Sequence, residues 1–294
     1  MKYCKNILFV CLLMFLVHSC KKSATEAKPK VITFPDANFE LVIREALEIP
    51  TGDIFDTDLQ TINVLNGDSR EIIDITGVEY CVNLDTLNLS RNTITELTPI
   101  AGLVKLEELT LFGNTIADIS PISGLTNLKT LSIRNNRITD ISPITELSKL
   151  KLVYLSGNQI TDISPISGLT NLEALSLAGL QISDFSILSM LTNLTGLFLY
   201  NNNISDISAV SNFAKLENLY LYNNQITDIS ALAVLVNLTK LNISDNQITD
   251  IVALVNNTGV NSGDEISLGN NPLNDTSINT YIPQLEARGV TVDY

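Results

Sequence analysis

The side chains best suited to nucleophilic or metal chemistry are scarce: one histidine, His18, and four cysteines, Cys4, Cys11, Cys20 and Cys81. What recurs instead is a column of carboxylates, Asp118, Asp140, Asp162, Asp184, Asp206, Asp228 and Asp250, spaced 22 residues apart and led by Glu96. Stacked carboxylates could gather calcium. Aspartates in turns more simply accept backbone N–H bonds, and neighbours about 5 Å apart in water repel by under about 1 kcal/mol each, which capping offsets. Turn capping is therefore the expected role. The acidic stretch DIFDTD (53–58) lacks the spacing and the glycine of an EF-hand loop. No metal ligands and no cofactor are expected.

The N-terminus removes further chemistry. Met1 to Lys5 carries two lysines, and Ile7 to Val17 is an unbroken apolar run of 11 residues. A membrane-spanning helix needs about 20, so a charged start and a short apolar run read as an export signal. The run ends in VHSC, residues 17–20, which resembles the lipobox of bacterial lipoproteins, although Val17 stands where Leu is commonest and His18 is unusual there. That resemblance implies cleavage before Cys20 and lipidation of Cys20; the alternative is an ordinary cleaved signal. Loss of residues 1–19 removes Cys4, Cys11, the single histidine and two of the 18 basic residues, taking the formal charge from -14 to -16. Histidine-dependent triads and His-ligated zinc are thereby excluded. The charge argues against nucleic acid. Residues 20–30 are read as a flexible tether. Cys81 occupies a leucine slot and is expected to be a small buried hydrophobe.

The elements that must position any functional side chain come from a repeat. Asparagines recur at 92, 114, 136 and 158, then at 202, 224 and 246, an interval of 22, with Leu180 in the missing slot. Leucine stands eight residues before each of these eight slots and isoleucine two residues after. A unit reads NLKTLSIRNNRITDISPITELSK. This resembles the 22-residue leucine-rich repeat of bacterial internalins over residues 31–294. The resemblance implies an α/β repeat, a solenoid with a parallel β-sheet on its concave face, short 3-10 or helical turns on its convex face, and a helical N-terminal cap. Each coil points Leu and Ile inward and buries them only by stacking on its neighbours. The slot Asn is expected to satisfy backbone groups of its own and adjacent coils, each worth about 1–3 kcal/mol if left buried and unpaired. The SPI segments suit short turns, with Ser as cap and Pro at the first helical position.

The organisation expected is a lipoprotein signal at 1–19, the tether, an N-terminal cap and degenerate first coil at 31–76, repeats over 77–255, and a C-terminal repeat and cap at 256–294. FPDANFELVIREAL should form a helix with Phe39, Val42, Ile43, Ala46 and Leu47 on one face. A second short helix should begin near Thr57 or Asp58, and Arg70 takes the Asn slot of the first coil. At the other end a helix near Asp275, stopped at Gly289, should precede a strand over 290–294.

Outward strand positions lie six, four and two residues before each slot. Nine units give 27 such positions among the 275 residues after the signal, yet they hold six of its 14 aromatics: Phe112, Tyr154, Phe198, Tyr200, Tyr220 and Tyr222. Phe198 with Tyr220, and Tyr200 with Tyr222, should form a two-by-two plate on adjacent strands. Beside it Ala174, Ser176, Ala178 and Gly196 should floor a shallow notch, with Tyr154 beyond. Arg134 and Lys240 contribute to a mixed charged rim. Cross-strand aromatic pairs stabilise sheets by about 0.2–1 kcal/mol, which does not account for clustering beside small residues on one face. These residues are read as a binding surface for a protein ligand, with polysaccharide binding as the alternative and a spacer without specific ligand as a third reading. The chain is expected to be non-enzymatic, exported and anchored in the cell envelope, at the outer membrane or cell surface, as a monomer.

Overall fold

The computed structural model describes residues 28–294. The signal at 1–19, Cys20 and all but the last three residues of the tether lie outside the described residues. Val31–Tyr294 forms one compact unit.

A 22-residue coil leaves room for one strand and one short turn. The strands β3 (Val64–Asn66), β4 (Thr86–Asn88), β5 (Glu108–Thr110), β6 (Thr130–Ser132), β7 (Leu152–Tyr154), β8 (Ala174–Ser176), β9 (Gly196–Phe198), β10 (Asn218–Tyr220), β11 (Lys240–Asn242), β12 (Glu265–Ser267) and β13 (Thr291–Asp293) form one eleven-stranded sheet in chain order. Every pairing in it is parallel, in the register set by the repeat, as in Leu109↔Leu131 and Val153↔Leu175. The middle residue of each strand from β3 to β12 points into the core and is at most 3% exposed. Opposite the sheet run 3-10 turns such as Ser120–Gly124, Ser142–Ile144 and Ser164–Ile166, each with Pro near its start. Ile122, Ile144 and Ile166 from these turns are wholly buried. Proline is absent from the turns after Ile187, and the last of them becomes a helix, α3 (Val252–Asn256).

The N-terminal cap opens with β1 (Val31–Ile32), paired antiparallel to β2 (Ile54–Phe55), a hairpin-like pair that the sequence does not signal. Between them α1 (Ala37–Leu47) buries Phe39, Val42 and Ile43. Ala46 is exposed and Leu47 only partly buried, so the apolar face is shorter than the sequence implies. Asp36 caps α1 by accepting from Asn38 N and Phe39 N, and its second oxygen accepts from Ile73 N at 2.7 Å and Asp74 N at 3.1 Å in the first coil. One carboxylate thus ties cap to coil. The short helix α2 (Asp56–Leu59) follows. At the C-terminal end a wide helical turn, Ser277–Tyr281, leads into α4 (Ile282–Ala287), which buries Ile282 and Leu285 and precedes β13.

Candidate ligand-binding face

The asparagine column is what holds the strand face in register. In each regular coil the slot Asn donates through Nδ2 to carbonyls of its own and the preceding coil and accepts at Oδ1 from an N–H of the preceding coil. Asn136 donates to Leu111 O and Ile133 O and accepts from Ile116 N at 3.0 Å. The residue before the slot has positive φ throughout: Arg91, Gly113, Asn135, Gly157, Gly179, Asn201, Asn223, Asp245 and Asn270. The Asn-Asn doublets thereby divide the work, the first asparagine accepting the left-handed turn that Asn and Gly tolerate and the second making the ladder.

On the scaffold so fixed, the four plate aromatics meet as the spacing implies. Phe198 and Tyr220 stand in register across β9 and β10, with ring centroids 5.1 Å apart and planes 16° from parallel. Tyr200 and Tyr222 stack at 4.5 Å and 6°. These separations match the strand spacing of about 4.8 Å, so the rings stack along the strand-to-strand direction and their faces look toward neighbouring strands. Burial, followed by its neighbour Tyr200, holds the Tyr222 phenol above its ordinary 10.0. The ring of Phe198 leans over Gly196, where a Cβ would come within 3.3 Å of it. Glycine is what leaves that space.

A second aromatic group lies two strands away. The Arg134 guanidinium carbon sits 5.4 Å from the ring centroids of both Phe112 and Tyr154. The sequence placed these residues on one face but gave no sign of the sandwich, because Arg134 reaches diagonally from one outward column to the next. A cavity of about 340 Å³ runs across this face, from Arg134, Tyr154 and Ser176 over the four plate aromatics to Asn242 on β11. Of the four small residues expected to floor a notch, only Ser176 lines the cavity; Ala178 and Gly196 are buried and Ala174 half-buried outside its lining. Lys240 stands outside the cavity, paired with Glu265 at 3.4 Å.

Leucine-rich-repeat family models match residues 82–146, 126–182, 192–234 and 234–251. No curated protein matches by sequence. Among solved structures, an internalin (inlF) of Listeria monocytogenes is 32% identical with a TM-score of 0.73, covering 88% of each chain. Internalin C2 of the same organism is 33% identical with a TM-score of 0.60, covering 84% of this chain and 98% of that one. A leucine-rich-repeat protein of Leptospira interrogans is 25% identical with a TM-score of 0.71, covering 81% of this chain and 62% of that one. The chain belongs to the internalin-type leucine-rich-repeat proteins.

This internalin-type ladder is interrupted twice, at Arg70 and Leu180. In each case the next Asn serves two N–H groups of the interrupted coil. Asn202 Oδ1 accepts from Leu180 N at 3.1 Å and Ile182 N at 3.0 Å, and Asn92 Oδ1 accepts from Arg70 N at 3.1 Å and Ile72 N at 2.9 Å. The residue after each missing slot, Glu71 or Gln181, also takes positive φ. The Leu180 interruption falls in the coil that floors the cavity.

The aspartate column caps turns. Asp118, Asp162, Asp184 and Asp206 each accept from the backbone N of the serine two residues on, at 2.7–2.8 Å, and these bonds hold their carboxyls below the ordinary 3.8. Among the described residues no cluster of three or more His, Cys, Asp or Glu side chains is placed to hold a metal ion. Cys81 is wholly buried, and burial pushes its thiol up to about 12. No helix among the described residues is long and apolar enough to cross a membrane.

Proposed function

We propose that this internalin-type chain is a non-enzymatic, lipid-anchored protein of the bacterial cell envelope, attached through Cys20, that binds a protein ligand through the aromatic group on its strand face. Leucine-rich repeats commonly serve as interaction scaffolds. The observation that carries the reading is the pairing of two stacked aromatic pairs with a cavity of about 340 Å³ beside them. Aromatics that are only partly buried contribute large contact area at low entropic cost, which suits a hot spot. Phe112, Tyr154, Phe198, Tyr200, Tyr220, Tyr222 and Arg134 form the surface, and Lys240 belongs to its rim.

The test is capture by the purified protein on one array of extracellular proteins and polysaccharides. It is run beside a variant carrying Phe198→Ala, Tyr200→Ala, Tyr220→Ala and Tyr222→Ala whose fold is checked by circular dichroism. Capture of a protein by the native chain alone supports the proposal. Equal capture by both moves the site elsewhere, and capture only of polysaccharide moves the ligand class to glycans.

A further inference from the structure

The aromatic surface has the order of a stack with one layer missing. Phe112 lies two residues beyond β5, Arg134 two beyond β6, and Tyr154 ends β7. Phe198 and Tyr200 follow on and just beyond β9, and Tyr220 and Tyr222 on and just beyond β10. Each ring or guanidinium up to Tyr154 faces the next, and each plate ring faces its partner. The β8 position between Tyr154 and Phe198 is Ser176, in register with both. Arg134 covers one face of Tyr154, so the other face looks toward β8. Tyr220 covers one face of Phe198, so its other face looks toward β8 as well. Two strand spacings place these faces about 9.6 Å apart. A ring inserted midway would stand about 4.8 Å from each, within the 4.5–5.1 Å that separates the plate's own rings.

We propose that this gap receives one aromatic side chain from a loop of the partner protein, and that a carboxylate adjacent to it in the loop pairs with Arg134. The proposal rests on the protein-binding reading above and specifies the partner's chemistry. The floor selects against a sugar. The Ser176 hydroxyl is already hydrogen-bonded to Ser156 Oγ at 2.6 Å, and Ser156 Oγ accepts from Ala178 N at 3.0 Å. At Ser176 a sugar hydroxyl would have to compete with the bond to Ser156, whereas an aromatic edge needs no hydrogen bond there. Local charge selects the acid. Arg91 is paired with Asp68 and Lys240 with Glu265, but Arg134 forms no ion pair among the described residues. The chain's formal charge of -14 acts over a screening length of about 8 Å, so at contact the nearby guanidinium outweighs it.

The test is selection of a random peptide library displayed on phage against the purified protein, alongside the polysaccharide polygalacturonate as a separate probe. Ser176→Phe fills the gap from within, and Tyr154→Ala removes one wall without touching the floor. The native protein is expected to enrich peptides carrying an aromatic residue with Asp or Glu within two positions. Those peptides should bind either variant roughly tenfold or more weakly, and Arg134→Gln should abolish the preference for the acid while retaining the aromatic. Enrichment without the aromatic–acid pair, binding to Ser176→Phe and Tyr154→Ala as tight as to the native protein, no enrichment, or binding of polygalacturonate alone would each overturn the proposal. If the peptides survive these two variants but not the four-alanine variant, the gap falls and the aromatic plate stands. If they survive all three, both readings fall.

Discussion

Asn202, like Asn92, supports more backbone than the asparagines of the regular coils. It accepts from two N–H groups of the Leu180 coil, whereas Asn136 accepts from one. Truncation leaves these donors buried and unpaired. Asn202→Ala is therefore expected to cost about 1 kcal/mol more than Asn136→Ala, read as the difference in urea midpoints at unchanged slope. Equal losses would mean that Leu180 N finds another acceptor. Cys81 makes a separate prediction. A wholly buried thiol held up to about 12 is protonated at pH 8 and shielded, so its labelling by a thiol reagent should follow global unfolding. At this scale the ladder asparagines were legible in the sequence, because a 22-residue spacing runs from Asn92 to Asn246 with Leu180 as its one gap. The left-handed residue before them was not, since Arg91 and Asp245 fill it as well as Asn and Gly and no residue type marks the column. Arg134 was placed on the correct face, but its diagonal reach between Phe112 and Tyr154 depends on side-chain conformation that spacing does not encode.

Between elements, the Asp36 carboxylate is the joint between α1 and the first coil. Burial raises its pKa, but hydrogen bonds from Ile73, Asp74, Phe39 and Asn38 outweigh this and hold it below the ordinary 3.8. The contribution of a depressed carboxylate is present above the unfolded value and is lost as pH falls through the folded value. The stability difference between the native chain and Asp36→Asn is thus expected to be full at pH 5 and to shrink below about pH 4, as measured by urea titration at each pH. Asp36→Ala should cost about 2 kcal/mol near neutrality, combining a lost helix cap with two unpaired N–H groups. A pH-independent difference would contradict the assignment. The strands and turns were legible because the leucine period dictates them, and the helical cap because Phe39, Val42 and Ile43 recur at helical spacing. The β1–β2 pair was not, since two-residue strands carry no alternation. The exposure of Ala46 was missed because helical periodicity alone extends the apolar face of α1 by a turn that the coil does not cover.

Across the whole molecule, each coil buries its leucines against its neighbours, so stability is carried along the stack. A mid-stack Leu175→Ala is expected to cost about 2–5 kcal/mol, with calorimetry or urea titration as the check. The strand face itself is spared that constraint, which is why its sequence is free to carry Tyr and Phe where the pattern asks for nothing apolar. The most direct measurement of its role is hydroxyl-radical footprinting of the protein with and without its captured ligand, read residue by residue by mass spectrometry. The account predicts protection of Tyr154, Phe198, Tyr200, Tyr220 and Tyr222, with Tyr80, Tyr281 and Tyr294 unchanged. Protection at Tyr281, Tyr294 or the 3-10 turns, with the strand-face aromatics still reactive, would contradict it.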